Sequence, residues 1–147
     1  MIIRSMKSAD IQQIIELSQQ LAEHVDDPKP NLTKETLEEL AFGINHWFEA
    51  IVAADAEQIL GFAAFSQSFE LHTNSRALHI SDLVVADTYR RQGVGDELLV
   101  AVRNIAAERS CKILKLEVWA ENKAANTFYS ERGAELIDDV KLLKITT

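Results

Sequence analysis

The stretch from Leu78 to Gly95, LHISDLVVADTYRRQGVG, places the tightest constraint on what this chain folds into. Its first part is apolar and rich in β-branched residues, and its middle turns at Ala86-Asp87-Thr88. The DELLVAVRNIAAERS that follows is amphipathic with helical spacing. The stretch therefore predicts a strand, a tight turn and a helix that begins at about Gly93.

The turn in this stretch has the chemistry of an anion-binding site. It lies where the first backbone N–H groups of the helix have no intrahelical partner and the helix dipole is positive. Gly93 and Gly95 lack a Cβ atom, so an anion can approach the backbone, and Arg90 and Arg91 add forked donors. The dinucleotide pattern G-x-G-x-x-G fails because its third position is Leu98. The pattern is therefore R-x-x-G-x-G, and an ordinary turn with solvated arginines is the alternative.

Length and composition narrow the class of protein. A chain of 147 residues that is 47% hydrophobic and 26% charged is typical of one globular domain. Its net charge of −8 argues against a nucleic-acid partner. No membrane-spanning run or signal peptide is expected, and the single cysteine, Cys111, forms no internal disulfide, which favours a cytoplasmic location. The four histidines lack metal-ligand spacing, so no metal is predicted.

The remaining patterns predict alternating helices and strands. In chain order they predict a strand at 2–6, helices at 11–25 and 34–42, a hairpin of strands 48–54 and 59–65, a polar loop at 68–75, the central strand from 76 or 77, a helix at 93–108, a strand at 112–119, a helix at 123–131 and two strands within 134–145. The helix between the central strand and strand 112–119 makes these two strands parallel. The result is a mixed sheet with helices on both faces, in one domain spanning residues 1–147.

With these residues in view, the sequence resembles the GNAT superfamily of acetyl-CoA-dependent N-acetyltransferases. The pyrophosphate-binding signature of that family, Q/R-x-x-G-x-G/A, matches Arg90 to Gly95. Its second signature, N-x-x-A-x-x-x-Y-x-x-x-G, matches Asn122, Ala125, Tyr129 and Gly133. The resemblance implies an α/β fold with a mixed sheet of about seven strands and about four helices. It also implies that the two central parallel strands splay apart.

The chain is similar in more detail to the diamine and polyamine (spermidine/spermine-type) branch of this family. The matching segments are LTKETLEELAFG at 32–43, NKAANTFYSERGA at 122–134 and VKLLKI at 140–145. The chain departs from the branch at Ser81, where Glu is usual, and at Val140, where Trp is usual. The branch implies a homodimer and a small primary amine as acceptor, with a diamine or polyamine first. An aminoglycoside, an amino acid or a protein lysine as acceptor, or a non-catalytic acyl-CoA-binding role, are the alternatives.

The resemblance assigns acetyl-CoA to the central strand, the turn and the second signature. Backbone groups of residues 91–96 would hold the pyrophosphate, and those of Leu83 and Val85 would pair with the pantetheine, while Val84 would face the core. The cofactor-binding set is Leu83, Val84, Val85, Arg90, Arg91, Gln92, Gly93, Val94, Gly95, Asp96, Asn122, Ala125, Asn126 and Tyr129.

Amine acetylation needs a group that protonates the departing thiolate and a route for the amine proton. Tyr129 is the candidate general acid, since an ordinary phenol pKa of about 10 lies near the thiol value of about 8.5. Its alternative role is core packing beside Phe128. The amine proton would pass to Asp82 or Glu117, more plausibly through a water chain than directly. The acceptor-binding candidates are Ser81, Asp82, Glu117 and Asp27.

Overall fold

The computed structural model describes residues 1–25 and 28–147. Its elements are β1 (Ile2–Ser5), α1 (Ile11–His24), α2 (Lys34–Phe42), β2 (Glu49–Asp55), β3 (Gln58–Glu70), β4 (Ser75–Val85), α3 (Val94–Glu108), β5 (Ile113–Lys115) and α4 (Lys123–Ser130), with 3-10 turns at Ser8–Asp10 and Asp87–Tyr89. The chain forms two compact units, Met1–Leu116 and Glu117–Thr147, and each is described by itself. Among the described residues, no helix is long and apolar enough to span a membrane.

The sheet of the first unit is mixed, with strand order β1-β2-β3-β4-β5. The first four strands pair antiparallel, and β4 and β5 pair parallel from Ala77↔Ile113 to His79↔Lys115. The predicted hairpin and the parallel pair joined by α3 are therefore confirmed.

Capping residues and glycines set the helix boundaries. The Thr33 hydroxyl accepts a hydrogen bond from the backbone N–H of Thr36 at 3.2 Å, and α2 ends at Gly43. Helix α3 begins one residue after Gly93, whose φ of 84° is readily adopted only by glycine.

The two faces of the sheet bury different side chains. On one face, Ala50 and Val52 of β2, Phe62 and Ala64 of β3 and Val84 of β4 share a core. The helices contribute Ile11, Ile14, Ile15 and Leu17 of α1 and Leu37 of α2 to this core. The alternate strand residues face α3, where Leu98 and Val102 are fully buried. The core position of Val84 confirms its predicted orientation.

An ion pair lies at the C-terminal end of α3, on the face of the sheet that α3 covers. Both terminal nitrogens of Arg109 bond the Glu49 carboxylate, at 2.6 and 2.8 Å, and the guanidinium lies over the Phe65 ring. These hydrogen bonds lower the pKa of the Glu49 carboxyl, against the opposing effect of its burial.

Three strand predictions are corrected by the structure. The predicted loop at 68–75 is mostly strand, because β3 continues to Glu70 and β4 begins at Ser75. Strand β5 covers only Ile113–Lys115 rather than residues 112–119. Residues 134–147 form no strand, and the apolar Leu142 in this tail is 80% exposed. The described residues therefore form five strands, where about seven were expected.

Candidate active site

The turn between β4 and α3 has a backbone suited to holding an anion. Arg91 and Gly93 both have left-handed backbone conformations, with φ of 60° and 84°. The first intrahelical hydrogen bond of α3 is donated by the Glu97 N–H to the Gly93 carbonyl, at 3.1 Å. The N–H groups just before Glu97 therefore have no partner within the helix. A Cβ built on Gly93 would meet no atom within 4 Å, so the space beside this turn is open.

The two arginines of the turn have different surroundings. Arg90 forms an ion pair with Asp87 at 2.8 Å and donates to the Val85 carbonyl at 3.3 Å. Its guanidinium therefore helps to fix the turn, in addition to any charge it supplies. Arg91 is exposed, and its charge lies closer to solvent.

Two more residues of the turn, Val94 and Gln92, are held in place, one by burial and the other by a hydrogen bond. Val94, the first residue of α3, is buried, so a ligand at the turn meets its backbone rather than its side chain. The Gln92 amide donates to the Thr88 carbonyl at 2.9 Å, which braces the turn internally.

A β-bulge at Ser81 orients Asp82. The β3–β4 register runs Ala64↔Asp82 and then Phe65↔Ile80, which leaves Ser81 as the extra residue. Because paired residues share a face, Asp82 lies on the face of Ala64, and both Ser81 and Asp82 are exposed. Bulges commonly redirect side chains next to active sites, and the acceptor-binding role of Ser81 and Asp82 stays a prediction.

Beyond Ala64, this face of the sheet carries a polar row that we call the sheet-face strip. It is defined by Ser66, Ser68, Glu70, His79, Asp82 and Lys115. Cross-strand pairing of Ser66 with His79, and of His79 with Lys115, places these side chains on one face. The Lys115 ammonium and the Glu70 carboxylate form an ion pair within the strip.

The parallel pairing of β4 with β5 is short. It ends at His79 and Lys115, whereas β4 continues to Val85. The backbone of β4 that includes Leu83 and Val85 therefore lies beyond the pairing with β5. That a pantetheine binds along this segment as an added strand stays a prediction.

In the second unit, α4 carries the predicted second signature. The Asn122 side chain caps the helix by accepting from the Ala125 N–H at 3.1 Å. The Asn126 amide donates to the carbonyls of Asn122 and Trp119, at 2.8 and 3.0 Å. Both asparagines thus hold the segment that leads into α4.

Tyr129 lies on the same helix, half-buried against an aromatic neighbour. Its ring meets that of Phe128 edge to face, with centroids 5.1 Å apart, and Arg132 lies 3.8 Å over the Phe128 ring. The aromatic contact expected from the alternative interpretation is therefore present. Edge-to-face contact fixes the ring without using the phenol oxygen, so it is compatible with either role.

The predicted site residues divide between the two units. The first unit brings together Ser81, Asp82, the end of β4 and the turn, and the second brings together Asn122, Ala125, Asn126 and Tyr129. Glu117 is exposed and opens the second unit. Asp27 lies outside the described residues. In the part of the chain that the structure describes, no group of three or more His, Cys, Asp or Glu side chains is arranged to hold a metal.

Glu70 and Lys115 were missed by the sequence prediction, which placed Glu70 in a loop and gave Lys115 no role. The available signal was the alternation of small polar and larger residues from Ser66 to Glu70. That alternation has the two-residue period of a half-covered strand.

The structure is a mixed α/β fold in which a strand–turn–helix, β4 to α3, leads into the short parallel strand β5. The chain belongs to the acetyltransferase (GNAT) family, whose model matches residues 12–134. It is accordingly an N-acetyltransferase by family.

Named relatives and solved structures agree with this assignment. The chain is 28% identical over 142 residues to a thialysine N-epsilon-acetyltransferase of Bos taurus, covering 90% of this chain and 83% of the relative. It is 28% identical to the spermidine/spermine N(1)-acetyltransferase-like protein 1 of Homo sapiens, over 90% of this chain and 20% of that protein. A crystal structure of a probable acetyltransferase superposes with a TM-score of 0.83 at 21% identity, over 100% of this chain and 98% of the other.

Proposed function

We propose that this chain transfers the acetyl group of acetyl-CoA to a primary amine of a small molecule, by direct attack in a ternary complex. The observation that carries the proposal is the left-handed turn of Arg91 and Gly93 at the N-terminus of α3, in a chain of the GNAT family. In this proposal the backbone of residues 91–96 holds the pyrophosphate, and Leu83 and Val85 pair with the pantetheine. One domain spanning 1–147 carries out the reaction.

The proposed chemistry forms a C–N bond and breaks a C–S bond. A protonated amine first loses one proton through water toward Asp82 or Glu117, and its neutral nitrogen then attacks the thioester carbonyl carbon. Tyr129 gives its phenolic proton to the departing thiolate, so that CoA leaves as a thiol, and the second proton of the nitrogen, released once the C–N bond has formed, returns Tyr129 to the phenol.

The acceptor proposed first is a diamine or a polyamine. Relatives that share most of this chain are named for thialysine and for spermidine/spermine, which are small amines. The exposed Asp82 and the net charge of −8 suit a cationic acceptor. We also propose a homodimer in the cytoplasm with no nucleic-acid or membrane partner, in keeping with the branch that the sequence resembles.

The test is CoA thiol release from acetyl-CoA across a panel of amines. The panel holds 1,3-diaminopropane, putrescine, spermidine, lysine, an aminoglycoside and a basic peptide. Saturable turnover with the diamines or spermidine supports the proposal. Turnover with the peptide or the aminoglycoside alone keeps the acetyltransferase and rejects the polyamine acceptor.

Tyr129→Phe tests the role of the general acid in the same assay. Loss of the phenolic proton should lower kcat by about 10²-fold or more, because general acids typically contribute that much. The acetyl-CoA Kd should stay unchanged, since the ring contact with Phe128 is kept. Phe128→Leu is the control for packing, and an equal loss of kcat in both variants would assign Tyr129 to packing.

A further inference from the structure

The Glu70–Lys115 ion pair lies on the same face of the sheet as Asp82. Glu70 is the last residue of β3, and Lys115 is the last residue of β5, two strands away. The Lys115 side chain crosses β4 to reach the Glu70 carboxylate. Both side chains are about two-thirds covered, with 34% of Lys115 and 27% of Glu70 exposed.

The sheet-face strip therefore has a carboxylate toward each end. Asp82 lies opposite Ala64, and Glu70 lies six residues further along β3. At about 3.3 Å per residue, the two backbone positions are roughly 20 Å apart. The strip between them contains Ser66, Ser68 and His79, none of which carries a fixed charge. A linear molecule with several ammonium groups fits such a surface by its charge.

The ammonium group of Lys115 already occupies the cation position at Glu70. The ammonium of Lys115 is tethered, so its effective concentration at Glu70 exceeds that of a free ligand. A long polyamine held at Asp82 would have to displace it before its distal ammonium could reach Glu70. A short diamine held at Asp82 ends well before Glu70 and does not meet Lys115.

We propose that Lys115 is a specificity-determining residue that occupies the distal cation position at Glu70 and so favours short amines over long polyamines. This inference rests on the proposed function, because it places the acceptor amine at Asp82. It narrows the acceptor class from polyamines in general to short diamines and monoamines. Lys115 acts on affinity for the far end of the acceptor and takes no part in the chemical step.

The Glu70–Lys115 ion pair adds little to the stability of the fold. Ion pairs with this degree of exposure typically contribute little to folding, so replacing Lys115 should leave the melting temperature nearly unchanged. A purely structural role predicts a loss on replacement. The specificity role predicts a gain of spermine binding, which a damaged fold does not produce.

The experiment measures spermine and 1,3-diaminopropane binding to the full chain with CoA present, by titration calorimetry. Lys115→Met removes the tethered ammonium and keeps the length of the side chain. Lys112→Met removes the same charge from an exposed position three residues away and is the matched control. Lys115→Arg keeps the charge and should behave as the wild type.

Lys115→Met should lower the spermine Kd severalfold, up to about fivefold, relative to Lys112→Met, in line with the free energy of a partly exposed ion pair. The 1,3-diaminopropane Kd should be the same in both variants. Adding Glu70→Gln to Lys115→Met should abolish the gain. An unchanged spermine Kd, or an equal gain in Lys112→Met, overturns the inference.

Measuring CoA thiol release distinguishes failure of the proposed function from failure of the proposed role of Lys115. If no amine in the panel releases CoA from the wild type, the proposed function fails whatever the spermine affinities show. If short amines are turned over and the ratio of kcat/KM for spermine to that for diaminopropane is unmoved by Lys115→Met, the function stands and the role of Lys115 is rejected.

Discussion

Asp10 shows how much one buried charge can depend on its neighbours. Asp10 is 5% exposed, and its carboxylate accepts hydrogen bonds from three donors. Two come from Arg4, at 2.7 and 2.9 Å, and one from the Lys7 N–H, at 2.7 Å. The Arg4 hydrogen bonds hold the pKa of the Asp10 carboxyl below its ordinary value, although burial alone would raise it. This pair fixes the approach of β1 to α1.

Asp10→Asn should lower the free energy of unfolding by about 2–3 kcal/mol, because Arg4 keeps its charge and loses its counter-ion in a half-buried place. The contribution of Asp10 also sets a pH dependence. Its pKa is lowered in the folded state, so its stabilisation is complete above the ordinary carboxyl pKa and disappears as pH falls through the lowered folded value. Urea unfolding of the wild type and Asp10→Asn should therefore converge as the buffer becomes more acidic.

The exposed turn between β2 and β3 provides the control for this measurement. Glu57→Gln makes the same carboxyl-to-amide change at an exposed residue. It should shift the unfolding midpoint little at any pH. A constant gap between the wild type and Asp10→Asn at all pH values would show that the ion pair is not the source of the stability.

Among the secondary-structure elements, β3 shows what the hydrophobic pattern of a sequence does not predict. Its apolar half to Phe65 was predicted as a strand, and Ser68 to Glu70 were assigned to a loop. The polar half is strand because it pairs with β4 through Glu70↔Ser75. Hydrophobicity reports burial rather than pairing, so a strand of polar residues is easily read as a loop.

The tail at 134–147 is the opposite case. Its apolar runs on either side of Asp138-Asp139 predicted two strands within 134–145, and the structure shows none there. Apolar runs favour a strand locally, but a strand also needs a neighbour that pairs with its N–H and C=O groups. No local signal in the sequence specifies that neighbour.

Gly61 is the point where β3 comes close to the end of β4. A Cβ added there would lie 2.6 Å from the Val84 carbonyl oxygen and 3.2 Å from the Val85 Cα. Gly61→Ala should therefore push away the part of β4 proposed to pair with the pantetheine. We expect a destabilisation of about 1–3 kcal/mol and a weaker acetyl-CoA Kd, measured by thermal unfolding and calorimetry.

Ser68→Thr serves as the comparison, since it adds one methyl group to the same strand in a half-exposed position. It should leave both the melting temperature and the acetyl-CoA Kd close to the wild type. Gly61→Ala with an unchanged Kd would mean that the end of β4 does not contact the cofactor.

Over the whole molecule, the sequence predicted the connection of elements better than the partners of individual side chains. The turn, α3, α4 and a strand parallel to β4 were all predicted by local spacing. The bulge at Ser81 and the Glu70–Lys115 pair were not, because both depend on the register between strands. Residues from separate strands become neighbours only once that register is set.

The family resemblance implies cofactor-binding residues in each of the two compact units, and hydrogen exchange can test each set in the intact chain. Saturating acetyl-CoA should slow exchange of backbone amides in 83–96, where the pantetheine and pyrophosphate are proposed to bind. It should also slow exchange in 122–129, if the second signature contributes as the family resemblance implies. Ligand binding slows exchange where it suppresses local opening, so the protected amides map the segments that the ligand holds.

Adenosine 3′,5′-bisphosphate, which lacks the pantetheine, is the matched ligand for this experiment. It should protect fewer amides than acetyl-CoA and leave 83–85 and 122–129 unchanged, because those segments are proposed to bind the part it lacks. Equal protection by the two ligands would reject the pantetheine site along β4 and favour a nucleotide-binding turn alone. Acetyl-CoA protection confined to 83–96 would keep the site of the first unit and remove Asn122 and Tyr129 from it, so the general acid would have to be sought within Met1–Leu116.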